Sequence, residues 1–99
     1  MRIIAKKTIT AFYEQTTFRD SKNALEAWYD DTKKSDWKNP SDIKEKYRNA
    51  SILRKNRVVF NIHGNKYRLV VKINFEVQIV FIRFIGTHAQ YDKIDSENI

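Results

Sequence analysis

A chain of 99 residues, 41% of them hydrophobic and 13% aromatic, can enclose one hydrophobic core but not two, so residues 1–99 are expected to form a single domain. Two glycines and one proline argue against a disordered chain, and the absence of cysteine excludes disulfides, thiolate metal sites and cysteine nucleophiles. The net charge of +7 is large for this size and points to an anionic partner.

Two histidines leave any zinc site dependent on carboxylates, which stand at no recognisable spacing, so neither metal nor cofactor is expected. No stretch approaches the roughly 20 apolar residues of a membrane span. Met1 is followed by Arg2 and a strand-like segment, not by an apolar leader. The sequence fits a soluble, bacterial-type cytoplasmic protein with no membrane partner.

In chain order, Ile3 and Ile4 suggest a short first strand. Ile9, Phe12 and Tyr13 then fall at i, i+3 and i+4, the spacing of one helix face. Thr17 and Asp20 have the spacing of a helix start, followed by a second apolar stripe at Ala24, Leu25, Trp28 and Tyr29. Asn39-Pro40 breaks the chain and restarts it, with a short helix or loop over Asp42 to Arg48. Asn49 to Asn56 reads as a loop.

From Val58 onward the chain is strand-like. Val58 to Ile62 ends at His63-Gly64-Asn65, a hairpin signal. Tyr67 to Asn74 alternates, with Leu69, Val71 and Ile73 on one face and Arg68, Val70 and Lys72 on the other. After a turn over Phe75–Gln78, Ile79 to Ile85 is apolar on both faces except at Arg83, as a central strand would be. The predicted class is α+β: a small, twisted, mostly antiparallel sheet with two N-terminal helices on one face. Its other face is expected to be concave, basic and open.

The positive charge is concentrated on that sheet. Residues 51–83 hold Arg54, Lys55, Arg57, Lys66, Arg68, Lys72 and Arg83 against Glu76 alone. A buried charge without a partner is costly, so cations inside apolar runs imply a face that meets water or an anion. Arg68 has the guanidinium fork suited to phosphate, Lys72 lies on the same face, and Arg83 could complete the cradle or pair with Asp92. The strand block ends in Thr87-His88-Ala89-Gln90-Tyr91-Asp92. His88 and Tyr91 are three apart, so one helical turn places them on one side, and histidine exchanges protons near neutral pH. His63 beside Gly64 reads as a turn residue.

The segments VFNIHGNKYRLVVKI and IVFIRFIGTHAQYD, with AWYDDTKKSDWKNPSDIK from Ala27 to Lys44, resemble the HigB toxins of bacterial type II toxin–antitoxin pairs. These lie within the RelE superfamily of ribosome-dependent mRNA interferases, and the resemblance covers nearly the whole chain. It implies a RelE-like fold and a metal-independent endoribonuclease that enters the ribosomal A site. There the 2′-hydroxyl of the mRNA attacks the adjacent phosphate, leaving a 2′,3′-cyclic phosphate and a 5′-hydroxyl. It implies Arg68 as the transition-state clamp, His88 as general acid or base and Tyr91 as a stacking or proton-transfer partner. Arg54, Lys55, Arg57, Lys66, Lys72 and Arg83 would then contact RNA. The implied partners are mRNA, ribosomal RNA and a HigA-like antitoxin with a helix-turn-helix domain.

One departure stands out. RelE carries two lysines on its second strand, where this chain has Val59 and Asn61. If a lysine is the base there, His88 alone, Lys72 or Arg57 must substitute here. Two other functions remain compatible with the same scaffold: a ParE-like inhibitor of DNA gyrase, and an RNA-binding protein without activity.

Overall fold

The computed structural model describes residues 1–99. In chain order the elements are β1 (Arg2–Ile4), α1 (Lys6–Tyr13), a 3-10 segment (Thr16–Ser21), α2 (Lys22–Lys34), α3 (Pro40–Lys46), β2 (Ser51–Ile52), β3 (Arg57–Ile62), β4 (Tyr67–Asn74), β5 (Ile79–Thr87) and α4 (His88–Tyr91). The five strands form one sheet in the order β1-β5-β4-β3-β2. Every neighbouring pair is antiparallel except β1 with β5, which makes the sheet mixed. No helix is long and apolar enough to cross a membrane.

The apolar stripes seen in the sequence account for the main core. Ile9, Phe12 and Tyr13 of α1 and Leu25 and Trp28 of α2 are buried with Val58, Phe60 and Ile62 of β3, Leu69, Val71 and Ile73 of β4, and Val80 of β5. Phe60 anchors this layer. Its ring meets Tyr47 at 5.1 Å and Trp28 at 5.4 Å edge-on, and stacks on Trp37 at 6.2 Å. Asn39 caps α3 by accepting from the Asp42 amide, and Pro40 occupies the first turn, as the break at Asn39-Pro40 predicts.

Several local expectations differ from the structure. Thr17 does not start α2; a 3-10 turn occupies Thr16–Ser21 and α2 begins at Lys22. Asp20 instead accepts hydrogen bonds from Lys66 and from the Tyr67 hydroxyl, 2.5 Å away, so its partners come from the sheet. The loop expected over residues 49–56 contains β2, which pairs with β3 through a tight turn at Lys55 and Asn56. Both of those residues have left-handed backbone angles, φ 57° and 60°. Arg83 is a bulge. The register passes from Val70↔Phe84 to Val71↔Ile82 and leaves Arg83 without a cross-strand partner. The bulge places both Phe81 and Phe84 on the sheet face turned away from the helices, opposite Lys72 and Val70.

That second face has three rows across β3, β4 and β5: Asn61–Arg68–Gly86, Val59–Val70–Phe84 and Arg57–Lys72–Phe81. It is not the open basic surface expected from the sequence. Val59 is 2% exposed and Val70 is 0% exposed, although neither belongs to the main core. The chain beyond α4 is held at both ends of this face. Tyr91 Oη lies 3.4 Å from Ser96 Oγ at one end of the sheet. At the other end, Arg57 donates from Nε and Nη2 to the main-chain oxygen of Ile99 at 3.1 and 2.5 Å, and Lys55 bonds to Asn98. The physical reason is the middle row. Fully burying a valine is worth about 1.5–3 kcal/mol, so its two valines, with Phe84 beside them, stabilise any segment that shields them from water.

Candidate functional site

The candidate site lies at the Gly86 end of this face, where β5 turns into α4. Thr87 caps α4 reciprocally: its hydroxyl accepts from the Gln90 amide at 3.1 Å, and the Gln90 side chain accepts from the Thr87 amide at 2.9 Å. Gly86 makes this possible. A Cβ there would stand 2.6 Å from Gln90 Oε1 and 2.6 Å from the Phe84 ring. The Thr-x-x-Gln spacing at Thr87–Gln90 was the sequence signal for this helix start.

The capped turn presents His88 to solvent with its side chain 55% exposed. One turn on, Asp92 Oδ2 lies 3.1 Å from His88 Nδ1. The His88 amide donates to the Lys66 carbonyl at 3.3 Å, which ties α4 to the β3–β4 hairpin. Arg68 is opposite Gly86 on β4, two residues before His88, and its Nη1 donates to the Asn65 carbonyl of the same hairpin at 2.8 Å. Arg68 and His88 therefore share one corner of the sheet. Tyr91 is on the same turn, but it is half-buried and its hydroxyl faces Ser96.

The other cations separate into two groups. Arg54, Lys72 and Arg83 have no acidic partner; Arg83 is exposed, with its guanidinium 5.6 Å over the Phe81 ring. Lys55, Arg57 and Lys66 are engaged within the chain. Arg57 is 8% exposed and also donates to the Lys55 carbonyl at 3.0 Å. Lys66 turns to the helix side, bonding Asp20 and lying over the Tyr67 ring at 5.6 Å. The hydrogen bond to Asp20 raises the Lys66 pKa, so this lysine stays a cation and cannot serve as a base. Lys72 is four residues along β4 from Arg68, about 13 Å at strand rise, too far to act on a phosphate held at Arg68 and His88. At the two positions where RelE carries lysines, Val59 is buried and Asn61 donates to the Asn49 carbonyl at 3.4 Å. Of the substitutes for the base, His88 alone is exposed at this corner. Asp92, a carboxylate at i+4 from His88, is the neighbour that the sequence reading did not link to it.

A mixed, mostly antiparallel sheet with helices against one face is the build of a small RelE-like toxin. A family profile described as "HigB_toxin, RelE-like toxic component of a toxin-antitoxin system" matches residues 21–94. A relative from Escherichia coli O6:H1, "mRNA interferase HigB", is 30% identical over 73 residues, covering 72% of this chain and 71% of its own length. The chain belongs to the HigB toxin family, the RelE-like toxic components of toxin–antitoxin systems.

Proposed function

We propose that this protein is an mRNA interferase acting on translated message in the ribosomal A site, restrained by a HigA-like helix-turn-helix antitoxin. The observation that carries this reading is the placement of Arg68 and His88 at one sheet corner, on either side of the Thr87–Tyr67 pair. A gyrase inhibitor working through protein contacts has no use for that pairing, whereas RNA cleavage needs both members. His88 takes the proton from the 2′-hydroxyl at its exposed ring nitrogen. The 2′-oxygen forms its bond to phosphorus, and the bond to the 5′-oxygen breaks. The leaving oxygen takes a proton from water, and His88 returns its own to solvent. Arg68 donates to the phosphate oxygens as negative charge accumulates on them, a role that preorganised donors perform at a cost already met in folding. Tyr91 offers a ring on which a neighbouring base can stack. Arg54, Lys72 and Arg83 supply contacts to the RNA backbone, and ribosomal RNA is the larger anionic surface for the same charges.

The test is to map RNA ends after induced expression in cells, with and without a block on translation initiation. Cuts inside reading frames that vanish under the block are expected. Cuts that persist, or intact RNA beside damaged DNA, would overturn the reading.

A further inference from the structure

We infer that Asp92 is the positioning residue of His88, holding the proton on Nδ1 so that Nε2 is the bare nitrogen facing the substrate. The inference rests on the ribonuclease reading for its catalytic consequence, but the geometry of the pair stands by itself. His88 Nδ1 and Asp92 Oδ2 are 3.1 Å apart. An ionised carboxylate can only accept, so a hydrogen bond across this gap requires the proton on Nδ1. The hydrogen bond made by one ring nitrogen sets the protonation of the other, and neutral His88 is thereby fixed with its lone pair on Nε2.

Four further observations set this pair apart. Helix energetics do not explain Asp92. It is the C-cap of α4, where a negative charge opposes the helix dipole, and the carboxylate follows the histidine rather than preceding it. Its carboxylate has no other partner in the chain, whereas neighbouring Asp95 accepts from the Asn98 side chain at 2.6 Å and the Glu97 amide at 3.3 Å. The second histidine lacks such an arrangement. His63 Nε2 is 3.8 Å from Asp20 Oδ2, and that carboxylate already accepts from Lys66 and Tyr67. The capping box at Thr87 and Gln90 holds the single turn across which the spacing of four residues must be kept.

The test combines ring-nitrogen NMR of His88 with cleavage kinetics on mRNA-programmed ribosomes, for the wild type, Asp92→Ala and Asp92→Glu. The wild type should show the Nδ1–H tautomer. Asp92→Ala should shift the ring toward Nε2–H and lower kcat about 10- to 100-fold, less than the loss for a buried triad carboxylate because this one is exposed. KM for the ribosome should stay unchanged, and Asp92→Glu should restore most of the loss. Asp92 is 58% exposed, so the variants should keep the wild-type unfolding midpoint. An unchanged tautomer in Asp92→Ala, or a loss appearing only in KM, overturns the inference. If the wild type cuts no RNA on programmed ribosomes, the ribonuclease reading fails instead, and the tautomer still decides whether Asp92 sets the ring.

Discussion

Two polar clusters flank the β3–β4 hairpin, and they differ in what their groups have left to offer. On the helix side, Asp20 accepts from Lys66 and Tyr67, whose ring is packed edge-on against Phe12 at 5.4 Å and Phe18 at 6.0 Å. The Lys66 and Tyr67 hydrogen bonds hold the Asp20 pKa below its ordinary value of 3.8, and burial, reinforced by Asp20, pushes the Tyr67 hydroxyl up. Each member there is satisfied by another. On the opposite side, Arg68 donates only to main-chain carbonyls through one nitrogen, and the exposed His88 side chain has Asp92 as its single partner. The first arrangement closes a fold; the second leaves donors and acceptors for a ligand. The pKa shifts of Asp20, Lys66 and Tyr67 thus arise from groups that satisfy one another within the fold.

The contrast is sharpest if each cluster is broken in turn. His88→Gln should lower cleavage about 10²- to 10⁴-fold, and Arg68→Ala about 10²- to 10³-fold, measured on programmed ribosomes, with unchanged thermal unfolding. Tyr67→Phe should do the reverse. Losing its bond to Asp20 should cost about 1 kcal/mol in urea unfolding while the rate of the folded enzyme at 25 °C stays the same. Equal effects on rate and stability from either set would erase the distinction between the clusters.

A smaller effect concerns acid. Asp20 is joined by Asp31, where the hydrogen bonds from Lys46 and Tyr47 outweigh a burial contribution of opposite sign and also lower the pKa from 3.8. A depressed folded-state pKa contributes stability that is complete above the unfolded value near 3.8 and is lost as pH falls through the folded one. Unfolding followed from pH 5 downward should show this loss, and Asp20→Asn should flatten it. Arg83→Ala should have the least effect on the fold, within about 0.5 kcal/mol, because this bulge residue is exposed and its guanidinium lies over the Phe81 ring.

The elements that could be read from sequence were those with local periodicity. Ile9, Phe12 and Tyr13 on α1, and Leu69, Val71 and Ile73 on β4, are buried as their spacing predicts. What escaped depends on distant partners. Asp20 looked like a helix-start residue because Lys66 and Tyr67 are 46 and 47 positions away. β2 is two residues long, and Lys55 is no marker for a left-handed turn. The covered face was foreshadowed at one point only: Val70, between Arg68 and Lys72, needed something apolar or a strap above it. At the site, the Arg68–His88 corner follows from the resemblance, whereas Asp92 required the helical turn to be seen.

The engagement of Lys55, Arg57 and Lys66 within the chain changes how the protein should respond to salt. Each phosphate neutralised by a cation releases condensed counterions, and only cations free to leave their own partners contribute. If Arg54, Arg68, Lys72 and Arg83 each meet one phosphate, about four such contacts form, and affinity for single-stranded RNA should fall with a log–log slope near −3. Displacement of the last residues from Arg57 and Lys55 would add two more contacts and steepen the slope toward about −4. A simple titration against potassium chloride thus counts how many of the basic side chains the C-terminal segment still holds.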